Sequence, residues 1–253
     1  MYFQHQTILE QAGRFYATGA GLELLSAYFA RHALLANGLR NAKAKKDQGA
    51  AVRLLSLLSF RYSGIANLCQ FANGCENECL VTSGHGAFLS TLEARLKRTV
   101  FLLRRPKEAR ECLRRELGKT GVKFVRLNVF SDLWFGALIR EFSHLQFWDY
   151  TRNPRRYARF LGGLDFPRNY HLTYSLGVPS PQSEQLALDF LGRGGHVAVV
   201  FRDSLPETWR GYPVWNGEHS DLRFLDPQGA QVIGLLHKQA HPALLQLTKK
   251  GVL

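Results

Sequence analysis

The sequence predicts an α/β protein built as an incomplete parallel (β/α)6-type barrel over residues 51–253, preceded by an N-terminal helical extension over residues 1–50. Three observations predict it. Six apolar runs of strand length recur along the chain; from residue 124 their starts lie 22, 24, 26 and 35 residues apart; and the intervals hold helix-like segments opening on proline or closing on glycine. Runs that are apolar at nearly every position suit strands buried on both faces, as parallel strands are. Six strands fall short of the eight of a closed barrel. No GxGxxG turn follows the first run, which argues against a dinucleotide-binding sheet, and the lone SGHGAF at 83–88 is too weak to restore it.

Taken in chain order, GLELLSAYFARHALLANGL in the extension reads as an amphipathic helix ended by Gly38, and AKAKKDQG at 42–49 as a solvated loop. The first strand is RLLSLLS at 53–59. A long amphipathic stretch over 87–117 follows, interrupted at Pro106, which suits the first position of a second helix, where a missing amide is harmless. Strands are predicted at 124–130, 146–151, 170–175, 196–201 and 231–236, and helices at 133–143, 154–161 from Pro154, and 181–192 to Gly192. Only the last crossover is not helical. Its residues 203–226 contain Pro206, Gly211, Pro213 and Gly217 and read as an elaborated loop with a small hairpin at YPVWNGEHSDLRF.

A chain of 253 residues with 45% hydrophobic and 21% charged residues has the composition of a globular protein with one substantial core. No run approaches the roughly 18–20 apolar residues of a membrane span, and the start lacks the basic-then-apolar layout of a secretory signal. A cytoplasmic protein with no membrane partner is the expectation. Lys and Arg number 33 against 20 Asp and Glu, a net charge of +13, which favours a nucleic acid or nucleotide partner through counterion release. Solvated helix faces are the plainer explanation. TRNPRRYARF poses the same choice: its arginines and aromatics suit stacking on bases beside phosphates, but Tyr157 and Phe160 fall on one helical face and equally suit a core.

Cys69, Cys75 and Cys79 fall within eleven positions just after the first strand, in NLCQFANGCENECLVTSGHG. Four cysteines are too few for a disulfide framework, and a reducing cytosol turns clustered thiols toward a metal. Gly74 gives the backbone freedom directly before the second cysteine. Thiolates this close repel unless a cation neutralises them. Two centres remain open: zinc held by the three cysteines and His85, which is structural, or a 4Fe-4S iron–sulfur cluster held by the cysteines alone, with one iron open. The position of the loop, at the end of a parallel sheet where ligand sites are built, favours the cluster. Cys112, within a helix, reads as a core residue.

Parallel strands bring the residues at their carboxyl ends to one face. Asn128, Ser131 and Asp132 follow the second strand, Tyr150 and Arg152 the third, Tyr174 and Ser175 the fourth, Arg202 the fifth and Lys238 the sixth. Asp132, Tyr150 and His85 are the candidate proton-exchanging, catalytic residues. Arg152, Arg202 and Lys238 are candidates for an anionic substrate. Each also has a structural reading: Asp132 as a helix cap, Ser175 as a turn residue, Arg152 as a surface cation. Asp221, Arg223 and Asp226 read as an Arg–carboxylate pairing across a short strand.

A three-cysteine loop after the first strand of a six-strand partial βα barrel resembles radical S-adenosylmethionine enzymes, although five and then three residues separate the cysteines here. That resemblance implies S-adenosylmethionine on the open iron, with Asn128, Ser131, Tyr174 and Ser175 as cofactor-binding residues. GCENECL, VRLNVFSD, FWDYT, NYHLTYS and GYPVWNGEHSDLRFLDP also resemble a gene-product-88-like family of phage and mobile-element proteins, over roughly residues 55–240. It implies one continuous domain and brings no assigned reaction. A zinc-structured nucleic-acid-binding protein of such origin is the alternative to an enzyme.

Overall fold

The computed structural model describes residues 2–40, 42–72, 74–82, 84–163 and 165–238. Strands β1 (Ala36–Asn37), β2 (Val52–Leu54), β3 (Phe124–Arg126), β4 (Gln146–Thr151), β5 (Tyr170–Ser175), β6 (His196–Phe201), β7 (Thr208–Trp209), β8 (Tyr212–Asn216) and β9 (Gln231–Leu236) form one sheet. Its order is β1-β2-β3-β4-β5-β6-β9-β8-β7. Every pairing from β2 to β8 is parallel, and the outermost pairs, β1–β2 and β7–β8, are antiparallel. The sheet is open and mostly parallel, which bears out the α/β class of the expectation. Both edges are strands of 2 residues, which offer little backbone for further pairing.

Four predicted strands, β4, β5, β6 and β9, keep their predicted bounds. The first two are shorter, because side chains capture the amides that would extend their ladders. Leu58 N donates to Thr99 Oγ1 at 2.8 Å, and Asn128 N donates to Asp149 Oδ1 at 2.7 Å.

Helices α1 (Tyr2–Tyr16), α2 (Gly19–Arg31), α4 (Leu89–Arg104) and α5 (Pro106–Leu117) pack together, with Phe29 stacked on Phe101 at 4.7 Å. α2 stops at Arg31, short of Gly38. Buried Glu116 takes the amides of Leu34 and Leu35, at 2.7 and 2.8 Å, and holds the bend that the chain makes there. Residues 42–49 are not a plain loop: Ala42–Lys46 is α3, and Lys43 pairs with Glu218 at 3.0 Å. α6 (Gly136–Glu141) is shorter than predicted. α7 (Pro154–Leu161) and α8 (Pro181–Gly192) keep their predicted bounds, since Asn153 caps Arg156 N and Ser180 caps Ser183 N. No helix among the described residues is long and apolar enough to cross a membrane.

One core runs from Leu9, Leu25 and Phe29 through Leu96, Phe101 and buried Cys112 to Phe147, Leu172, Val197 and Val232. Each such side chain stabilises the fold by about 1.5–3 kcal/mol when fully buried. The opposite face of the sheet has a smaller cluster, Val52, Leu54, Trp148 and Leu222, with Phe124 and Phe224 packed against it. Residues 221–226 therefore cover that face. They contain a 3-10 turn, Arg223–Leu225, where a short strand was expected, and the expected hairpin forms instead between β7 and β8.

Candidate functional site

From Ser59 to Phe88 the chain crosses the carboxyl end of β2, and the helical elements among the described residues there are three short 3-10 turns: Cys75–Glu78, Leu80–Thr82 and Gly84–Ala87. Gly74 opens the first at φ 86°, and a Cβ there would stand 2.9 Å from Val178 Cγ2. Both the conformation and the close approach require glycine. Cys69 Sγ donates to Phe130 O at 3.4 Å, and Cys79 Sγ lies 3.2 Å from Ser59 Oγ. None of the four cysteines is in a disulfide, and the three in the loop are partly buried. Burial pushes the Cys69 thiol up to about 12, and charges at Cys79, Cys75 and Asp132 push it the same way. All three thiols belong to the one loop that follows β2. They do not converge on one point. Among the described residues, no group of three His, Cys, Asp or Glu side chains stands ready to hold a metal. The side chain of His85 lies outside the described residues.

Arg95 of α4 reaches the same loop, from the helix face that carries buried Leu92, Leu96 and Thr99. Its Nη1 donates to Val81 O and Gly86 O, both at 3.2 Å, and its guanidinium carbon lies 4.2 Å from the Phe130 ring centre. Burial lowers its pKa to about 10, against the opposing charge of Cys79. No carboxylate pairs with it among the described residues. An arginine in the apolar stripe of an amphipathic helix was a visible signal in the sequence; its neighbours across the fold were not.

Asp132 is fully engaged. It accepts Thr151 Oγ1 at 2.9 and 3.0 Å, Arg152 N at 3.1 Å and Arg156 Nη1 at 2.5 Å, tying the loop after β3 to the start of α7. Arg152 Nη1 reaches into the cysteine loop and donates to Ala72 O at 2.8 Å. Asn128 and Ser131 are buried in a network of their own. Asn128 Nδ2 donates to Asp149 Oδ2 at 3.0 Å, and Asn128 Oδ1 accepts Ser131 Oγ at 2.9 Å and Leu133 N at 2.8 Å. Desolvation pushes Asp149 up to about 6, although the Arg126 charge and these hydrogen bonds favour its ionised form. Tyr174 is buried with its ring against Tyr157 and Phe190, and Ser175 is half-buried at the end of β5. Arg202 and Lys238 are exposed beyond β6 and β9.

Tyr150 lies on the opposite face of the sheet, under Arg126 at 4.8 Å, and burial pushes its pKa up to about 12. Arg126 pairs there with Asp221 at 3.1 Å, and the fully buried Arg223 with Asp226 at 3.3 Å. His171 and His196 face one another at 5.3 Å on neighbouring strands. His171 Nε2, Thr173 Oγ1, His196 Nδ1 and Arg223 Nε are buried without a hydrogen-bond partner among the described residues. The alternation in YHLTYS, with His171, Thr173 and Ser175 on one face, was legible; the polar cover above it was not.

A family model described as Gene product 88 matches residues 30–250 of the chain. No curated protein matches it, and no solved structure does.

Proposed function

The chain belongs to the Gene product 88 family, and on that premise we propose that it is a metal-dependent enzyme holding a 4Fe-4S cluster on Cys69, Cys75 and Cys79 and acting on a nucleotide or nucleic acid. One observation supports the reading: three cysteines, none in a disulfide, lie in the single loop after β2, beside a buried arginine that has no acid partner among the described residues. Three thiolates bring negative charge into a partly buried site, and Arg95 is placed to offset it. Phe130 and Val81 line the same wall and exclude water. The loop is held by short turns rather than a long element, so drawing the sulfurs together costs little regular structure. Bound there, a cluster supplies single electrons, and its open iron is a place for S-adenosylmethionine. Tyr174 and Ser175, at the carboxyl end of β5, are the residues left to orient such a cofactor. Asn128, Ser131 and Asp132 instead hold the rim in shape, with Arg152 fastening the loop to it. Four cysteines with no disulfide among them suit a reducing cytoplasm.

Anaerobic isolation followed by metal, sulfide and visible-absorption analysis tests this. The expected result is a brown protein that bleaches with dithionite and loses its colour in Cys75→Ala while the sheet still unfolds at an unchanged midpoint. A colourless protein with about one zinc supports the second reading, a zinc-structured nucleic-acid-binding protein, which draws on the net charge of +13. A protein with neither metal defeats both.

A further inference from the structure

Between α6, α7 and the chain at 165–166 lies an open groove of about 450 Å³, walled by Trp134, Phe166, Arg140, Arg155, Arg156 and Arg159. Trp134 is 46% exposed, yet its ring is held on several sides. It meets Phe166 edge-on at 5.1 Å and Tyr170 at 6.0 Å, and the Arg156 guanidinium lies 5.9 Å from its centre. It also lies against Gly136, where any Cβ would come within 2.3 Å of the ring. A large aromatic that is fixed in place and half in water is a stacking platform.

The cations around it are available in different degrees. Arg155 is exposed and makes no hydrogen bond or ion pair among the described residues. Arg159 pairs with Asp165 at 3.2 Å, but the side chains are 61% and 79% exposed, and a pair so open to water is weak. Arg140 donates to the carbonyl of Asp165, and Arg156 is committed to Asp132. Among the described residues of the wall, Asp165 is the only acid against four arginines. Asn153 also lines the groove, but its side-chain oxygen caps α7.

We propose that this groove binds single-stranded nucleic acid, one base stacking on Trp134 and the flanking phosphates lying on Arg155, Arg159 and Arg140. A duplex keeps its bases stacked on one another and has none to offer the ring. A mononucleotide has phosphate at one place only, whereas the arginines are spread along the wall. Four arginines and an aromatic ring engage phosphates and base faces rather than base edges, so the binding is sequence-tolerant. The proposal shares with the reading above only its anionic partner, and it stands whether or not a metal binds.

Fluorescence anisotropy of a labelled oligo-dT of about twenty nucleotides, titrated with the full-length protein over a range of salt, tests it. Trp134→Ala is expected to weaken binding about tenfold with the salt slope unchanged, and Trp134→Phe to restore most of it. Arg155→Ala with Arg159→Ala is expected to lower the salt slope by about 1.4, roughly 0.7 for each single-strand phosphate that is no longer neutralised. Lys107→Ala with Lys119→Ala, the same charge removed outside the groove, leaves affinity nearly unchanged. The proposal is overturned if the groove variants bind as the wild type does, if the control pair weakens binding as much as the arginine pair, or if duplex or dTMP competes as well as the single strand. Metal content of the same variants is read separately, so loss of nucleic-acid binding and loss of the metal centre remain distinct results.

Discussion

His171 shows how a single side chain changes meaning once its surroundings are fixed. It sits in YHLTYS as one polar residue of a strand, yet burial, aided by the charges of His196 and Arg223, lowers its pKa from 6.5 to about 4. Between those values the unfolded chain binds more protons than the folded one, so this residue makes stability fall as pH drops from about 6.5 to about 4. Asp226 acts in the opposite sense. Burial raises it from 3.8 to about 6, the folded state binds the extra proton, and its effect is to raise stability as pH falls through that window. The two therefore offset each other in the wild type. His171→Phe is expected to gain stability relative to wild type on going from about pH 7 to about pH 4.5, and Asp226→Asn to lose it, as read from urea midpoints; parallel pH profiles would show that neither group titrates as placed. Asp132 is the other instructive residue. Its type and its position at a strand end suit catalysis, but four hydrogen bonds make it the clamp between the β3 loop and α7. Only partners from 19 to 24 positions away decide between those roles.

At the scale of elements, the cysteine loop depends on one arginine laid over one glycine. Gly177 has φ 75°, and a Cβ there would stand 2.6 Å from Arg152 Nη1, the group that donates to Ala72 O. Gly177→Ala is expected to cost about 1–2 kcal/mol from backbone strain and the displaced guanidinium. Limited proteolysis should then cut within residues 59–88 faster than in the wild type. A loss of stability with unchanged loop cleavage would mean that Arg152 does not anchor the loop. Elements bounded by their own chemistry were legible: Pro154 with Asn153 sets α7, and Ser180 with Pro181 sets α8. Elements cut short by distant partners were not. Just beyond β3 Asp149 takes the Asn128 amide, and α2 is followed by a bend held by Glu116.

Across the whole molecule, the N-terminal helices share the core of the sheet domain, with Leu9, Leu25 and Phe29 in the same buried cluster as Phe101 and Phe147. Phe29→Ala is expected to cost about 3–5 kcal/mol and to shift one cooperative transition seen alike by far-UV and near-UV signals. Two separated transitions would mean that the helices unfold on their own. Six of the parallel strands, the helices α4, α5, α7 and α8, the α/β class, and the place of three cysteines just after the first of those strands could all be read from residues near one another in the chain, because hydrophobic period, caps and turns are local properties. The open edge of the sheet, the polar cover over His171 and Thr173, the buried cation beside the thiols and the platform at Trp134 could not. Each rests on partners brought together from far apart, as when Arg152 meets Ala72 across 80 residues or Leu34 meets Glu116 across 82, and such pairings exist only once the strands have chosen their neighbours.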